Sequence, residues 1–176
     1  MCSLALPETL FGSDATTALR SAVADVVERS FFSMADECDA ESFERVSAEI
    51  PAWVSASVQF DEGSSPGAVV CWIAAPLAER LFDAFSGRDP DEPPPSETDL
   101  YDLVGEFANM VCGAWLTRAV NQQTFSLTKP VVDACDSATA IAAVGDRGLT
   151  FFIDDMPIAI DVQVGRAETR PAGVLA

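Results

Sequence analysis

The segment Leu100-Tyr101-Asp102-Leu103-Val104-Gly105-Glu106-Phe107-Ala108-Asn109-Met110-Val111-Cys112-Gly113-Ala114-Trp115 decides how this chain is read. An α-helix advances about 100° per residue. On that wheel Asp102, Glu106, Asn109 and Gly113 fall within roughly 60° of each other. Leu100, Val104, Phe107, Val111, Ala114 and Trp115 fall on the opposite side. The apolar stripe must bury itself, so the polar row is presented outward on a rod anchored in the core. Glutamate and asparagine on an exposed helix face are, in most proteins, ordinary solvated residues. Two details set this row apart. Asparagine is a mediocre helix former. Gly105 and Gly113 flank the row, each at a cost of about 1 kcal/mol relative to alanine, and they thin the surface where another protein could approach.

Outward from this segment, Ser96-Glu97-Thr98-Asp99 resembles a capping box with an acidic residue at its fourth position. The long helix therefore runs from Ser96 to about 121. Before it, residues 88–96 hold Pro90 and Pro93-Pro94-Pro95, the clearest break in the chain, though too short and stiff to mark a domain boundary. Further upstream, Leu19, Ala22, Val23, Val26, Val27, Phe31 and Met34 recur at helical spacing and predict a helix over 14–36. The acidic run 36–41 reads as a linker or a short solvated helix. Residues 53–60 alternate like a half-buried strand, 61–67 make a turn, and 68–74 return as the second strand of a hairpin. Pro76 starts a short helix that ends at Gly87. After the long helix, strands are expected near 123–128, 137–144, 148–153 and 157–164, with Asp154-Asp155 turning between the last two.

This order is not a βαβ alternation. It predicts an α+β domain, with long helices packed on a largely antiparallel sheet. The expected organisation is a flexible leader over 1–12, one domain over 13–165 and a flexible tail over 166–176.

Composition narrows the chemistry. The chain has 176 residues, about half of them apolar, enough for one continuous core. No stretch approaches a membrane span, and the first residues lack the features of a secretory signal, so a cytoplasmic location is expected. The five cysteines are scattered, with no C-x-x-C pair, which argues against a disulfide framework or a thiolate zinc site. Cys71 and Cys112 sit in apolar runs and read as core fillers. There is no histidine, which removes the usual general base, the usual metal ligand and every histidine-dependent nucleophile. A net charge of −18 disfavours binding to nucleic acid or an anionic membrane. It reads most simply as a device for solubility or for a salty cytoplasm. A basic partner or charge mimicry of nucleic acid would also use such acidity.

The string Asp102-x3-Glu106-x2-Asn109 resembles the Asp/Ser-x3-Glu-x2-Asn signature of the CheC–CheX–FliY chemotaxis phosphatases. In that family the signature lies on a long surface helix and a proline follows a little over twenty residues later; here Pro130 follows Asn109 with 20 residues between them. The flanks, from Gly105 to Gly113, are similar to the family's Glu-Leu-Ala-Asn-Met-x-x-Gly core. CheC-type members carry a second signature on the first long helix. The comparable string here is Ala24-x3-Glu28-x2-Phe31, with phenylalanine in place of the asparagine, so one site is expected, as in CheX.

The resemblance implies a phosphatase for aspartyl phosphate on a CheY-like receiver domain of two-component signalling. Asn109 would orient the attacking water and Glu106 would pair with the receiver's lysine. Asp102, Gly105 and Gly113 would meet the partner, and Pro130 would be structural. No cofactor or metal of its own is implied; Mg²⁺ is expected on the receiver. CheX-type proteins dimerise through their sheets, which allows a homodimer here. The competing readings are a receiver-binding scaffold without catalysis and a flagellar switch adaptor, for which the residues at 167–176 leave little room.

Overall fold

The computed structural model describes residues 13–61, 67–89, 91–119, 125–144 and 148–164. The leader, the tail and most of the turn at 61–67 expected above lie outside them. Five helices pack on a seven-stranded sheet, α1 (Ser13–Phe31), α2 (Ala40–Ser47), α3 (Ala75–Ser86), α4 (Glu97–Ala119) and α5 (Ser137–Ala143), with β1 (Asp36–Glu37), β2 (Trp53–Asp61), β3 (Gly67–Ala74), β4 (Ser126–Leu127), β5 (Val131–Cys135), β6 (Leu149–Ile153) and β7 (Met156–Val164). The strands lie in the order β1-β6-β7-β3-β2, and β4 and β5 share the far edge of β2. Every pairing is antiparallel. The α+β architecture expected from the sequence is the one observed.

Strand β2 shows how the alternation divides the molecule. Val54, Ala56, Val58 and Phe60 are buried on one face, where Phe60 meets Trp115 of α4 edge-on at 5.6 Å. Trp53 points to the other face and meets Phe43 of α2 at 6.0 Å. One face therefore carries α1, α3 and α4, and the other carries α2 and α5. The hairpin of β2 and β3 pairs Trp53 with Ala74 and Phe60 with Gly67. Cys71 and Cys112 lie fully buried in this core, and burial pushes both thiols up, Cys112 to about 12. Neither is a thiolate nucleophile.

Four elements depart from the sequence reading. Helix α1 stops at Phe31, because Phe32 takes a left-handed φ of 55°. The acidic run splits into β1, which pairs with β6, and Asp39, whose carboxylate accepts from Ser42 N at 2.8 Å and caps α2. Residues 131–135, which lie between the strands expected near 123–128 and 137–144, form β5 on β2. The strand expected over 137–144 is helix α5; Asp136 accepts from Thr139 N at 2.8 Å and starts it. An alternating Ala-rich heptad fits either period, and the cap decides.

Candidate functional site

Helix α4 begins as the sequence foretold. Asp99 N donates to Ser96 Oγ at 3.2 Å, and Ser96 N and Oγ donate to Asp99 Oδ2 at 2.8 and 2.6 Å. This reciprocal box holds the Asp99 carboxyl below the usual range through the Ser96 hydroxyl and backbone bonds. Just upstream, Arg88 fastens the proline-rich loop. Its guanidinium donates to both Asp83 oxygens at 2.6 and 2.9 Å, and to the carbonyls of Glu92 and Pro93 at 2.8 and 3.2 Å.

The two long helices are tied together. Trp115 Nε1 donates to Ala15 O at 3.0 Å, and Arg118 pairs with Asp25. Near the α1 terminus the Ser30 hydroxyl reaches Met110 Sδ at 3.6 Å, and the Phe31 and Phe107 rings stand 5.7 Å apart. Val104, Phe107, Ala108, Val111, Cys112 and Trp115 are buried.

Against this support the polar row faces out. Asp102 and Glu106 are exposed, Asn109 is half-buried, and Gly113 is half-buried with open space where a side chain would project. Among the described residues, no side-chain partner occupies Glu106 or Asn109. Glu106 and Asn109 thus offer a carboxylate and an amide, one turn apart, both unengaged and on a rigid rod. An amide in this position can donate to one group and accept from another.

Gly105 differs from the expectation. It is buried, and a β-carbon there would lie 3.3 Å from Pro130 Cβ and 3.4 Å from Val132 Cγ2. It faces the chain's own edge strand, because β5 and the Pro130 that leads into it run over this side of α4. Pro130, leading into β5, is the residue it accommodates. Sequence reasoning gave no role to Ser30, or to Met110 beyond its place in the motif's flank, and the two touch beside Asn109. Met110 falls between the apolar stripe and the polar row on the wheel, and that intermediate position was the available signal.

Phe31 stands where a second signature would need asparagine. It is 2% exposed and lies between Phe107 and Phe85, each ring centroid 5.7 Å away. The first long helix therefore presents no amide at this point. Among the described residues no cluster of acidic or cysteine side chains could hold a metal ion, and no helix is long and apolar enough to cross a membrane.

Helices packed on an antiparallel sheet in this arrangement are the fold of the CheX, CheC-like and FliY proteins. Residues 54–154 match the family described as Chemotaxis phosphatase CheX, more than half of the chain, and the chain belongs to that family. The structure resembles CheX from Vibrio vulnificus at a TM-score of 0.62 and 15% identity, covering 87% of this chain and 97% of that one. It resembles CheX in the CheX–CheY–BeF3–Mg²⁺ complex from Borrelia burgdorferi at 0.60 and 15%, covering 87% and 99%. Thermotoga maritima FliY is similar at 0.54 and 19%, covering 94% and 93%. No curated protein matches the chain significantly in sequence.

Proposed function

We propose that this chain removes phosphate from a CheY-like receiver phosphorylated on aspartate, with Asn109 orienting the attacking water and Glu106 fixing the docked register. The observation that carries the reading is the unengaged Glu106–Asn109 pair on the outward face of α4, in a chain of the CheX family. A CheX of Borrelia burgdorferi forms a complex with CheY, BeF3 and Mg²⁺, and beryllium fluoride is a chemical mimic of a phosphoryl group.

The chemistry asks little of the second protein. An aspartyl phosphate is already activated, and the receiver supplies Mg²⁺ and a lysine beside it. Positioning water in line with the scissile bond is the remaining task. The Asn109 carboxamide can accept from the water and donate to a phosphoryl oxygen, without adding negative charge. Glu106, one turn earlier, offers a carboxylate to the receiver's lysine. Asp102 lies at the rim of the same face and Gly113 leaves room beyond Asn109. In this reading the receiver brings the Mg²⁺, and the likeness to CheX allows a homodimer through the sheets.

The test is phosphate release from candidate receivers, with wild type and Asn109→Ala side by side. Asn109→Ala is expected to lose roughly 10²-fold or more of the acceleration while its circular dichroism stays native. Glu106→Ala is expected to weaken docking chiefly and to reduce the rate. Full activity in Asn109→Ala would overturn the mechanism. Receiver binding without faster phosphate loss would instead identify a scaffold.

A further inference from the structure

The Ser30 contact beside Asn109 lies close to an unusual helix terminus. Helix α1 closes with Phe32 at a left-handed φ of 55°. Such positions are usually glycine, because an L side chain there costs about 1–2 kcal/mol. Here the residue is a phenylalanine, and it stands 82% exposed. Met34 follows at 74%, and Phe85, near the end of α3, is 51% exposed. These large apolar side chains leave the core at one end of the helical layer.

The segment carrying them is fastened. Ser33 Oγ donates to Asp154 Oδ1 at 2.9 Å, and Arg80 Nη1 donates to Asp154 O at 3.3 Å. The patch also lies near the α4 row, since Ser30, two residues before Phe32, reaches Met110 beside Asn109. Phe85 packs on Phe31, Phe31 packs on Phe107, and Ser30 touches Met110. Phe31 and Phe107 are buried and carry their contact through the core, whereas half-buried Met110, next to Asn109, carries the Ser30 contact near the surface.

We propose that Phe32, Met34 and Phe85 form an apolar shoulder on which the receiver engaged by Glu106 and Asn109 also rests; this inference depends on the proposed function above. A stable protein interface covers about 800 Å² on each partner. One row on one helix supplies only part of that, so a receiver seated over it must spread onto a neighbouring surface. The adjoining apolar surface on the α1 side is this shoulder. The net charge of −18 gives the chain no attraction for a partner of like charge. Exposed aromatic side chains supply affinity without charge, as the anchors of protein interfaces commonly do. The left-handed Phe32 fits this role, since stability is given up to hold an aromatic ring in solvent.

The experiment uses the full chain with Phe32→Gly, Phe85→Ser and the double variant, beside Asn109→Ala. Phosphate release is measured against receiver concentration, binding of the beryllium fluoride-activated receiver by titration, and self-association by sedimentation. The double variant is expected to raise KM and Kd tenfold or more, with kcat within twofold. Asn109→Ala is expected to do the reverse. Phe32→Gly should melt higher than wild type while binding more weakly, a pairing that loss of structure cannot produce. Active wild type with unchanged KM in the phenylalanine variants overturns the shoulder and leaves the proposed function standing. Unchanged KM together with lost self-association overturns it by assigning the patch to a second copy. Wild type that neither binds nor dephosphorylates any receiver overturns both.

Discussion

Gly105 on α4 lies directly beneath Pro130 at the entry to β5, so closely that an added β-carbon would stand 3.3 Å from the proline Cβ. Gly113, two turns later, has nothing within 4 Å of the same imagined atom. Two glycines on one helix therefore serve different ends: one lets a strand approach, the other leaves the outer face bare.

Alanine at these positions should separate them. Gly113→Ala is expected to stabilise the fold by about 0.5–1 kcal/mol, the ordinary helix-propensity gain. Gly105→Ala forfeits that gain, because Pro130 and Val132 must shift, and is expected to be neutral or destabilising by about 1 kcal/mol. Urea denaturation of both variants checks the sign. A gain at Gly105 matching that at Gly113 would refute the close packing.

Phe31→Asn restores the residue type of a second signature on α1 but should not create a second site. The ring is buried between Phe107 and Phe85. Removing it opens a cavity and leaves an amide without partners, at a cost of about 3–5 kcal/mol. The expected result is a large fall in the urea midpoint with no rise in phosphatase activity per folded molecule.

Asn109→Asp preserves shape and changes charge. A carboxylate facing the phosphoryl oxygens repels them, and it cannot donate. The variant is expected to lose most of its acceleration, as is expected of Asn109→Ala, while its melting temperature stays within a few degrees of wild type. Activity equal to wild type would remove the amide from the mechanism.

Three helix caps set a pH dependence. Asp39 is held low by the backbone and hydroxyl of Ser42, Asp99 by Ser96, and Asp136 by Thr139. Each folded pKa lies below its unfolded value of about 4. The stability from these caps is therefore fully present above that value and is lost as pH falls through the lower folded values. Melting temperature is expected to be flat across neutral pH and to fall below about pH 4. Asp99→Asn should flatten that acid limb in part.

Long periodic elements were legible in the sequence, and locally decided ones were not. Helix α4, the β2–β3 hairpin and the β6–β7 pair follow from side-chain period, cap and turn residues. The two-residue strand β1 has no period to read and forms on the free edge of β6, whereas β4 falls within the strand expected near 123–128. Strand β5 begins after Pro130 and carries exposed Val131 and Asp133, so its pattern is that of a connection. The end of α1 was hidden because Phe32 and Met34 continue the apolar run, and only the backbone angle at Phe32 reveals the stop. In the polar row, the wheel identified which residues face out. It could not reveal that Gly105 belongs to the inner packing, because that depends on where β5 runs.

The reciprocal bonds between Ser96 and Asp99 act as a phase lock. They set where the first turn of α4 begins, and every later residue inherits its compass bearing from that origin. Extra residues inserted among the prolines before Ser96 would leave the bearing of Glu106 and Asn109 untouched. A single residue inserted after Asp99 would swing both by about 100°, giving Glu106 the inward bearing of Phe107 and Asn109 that of Met110.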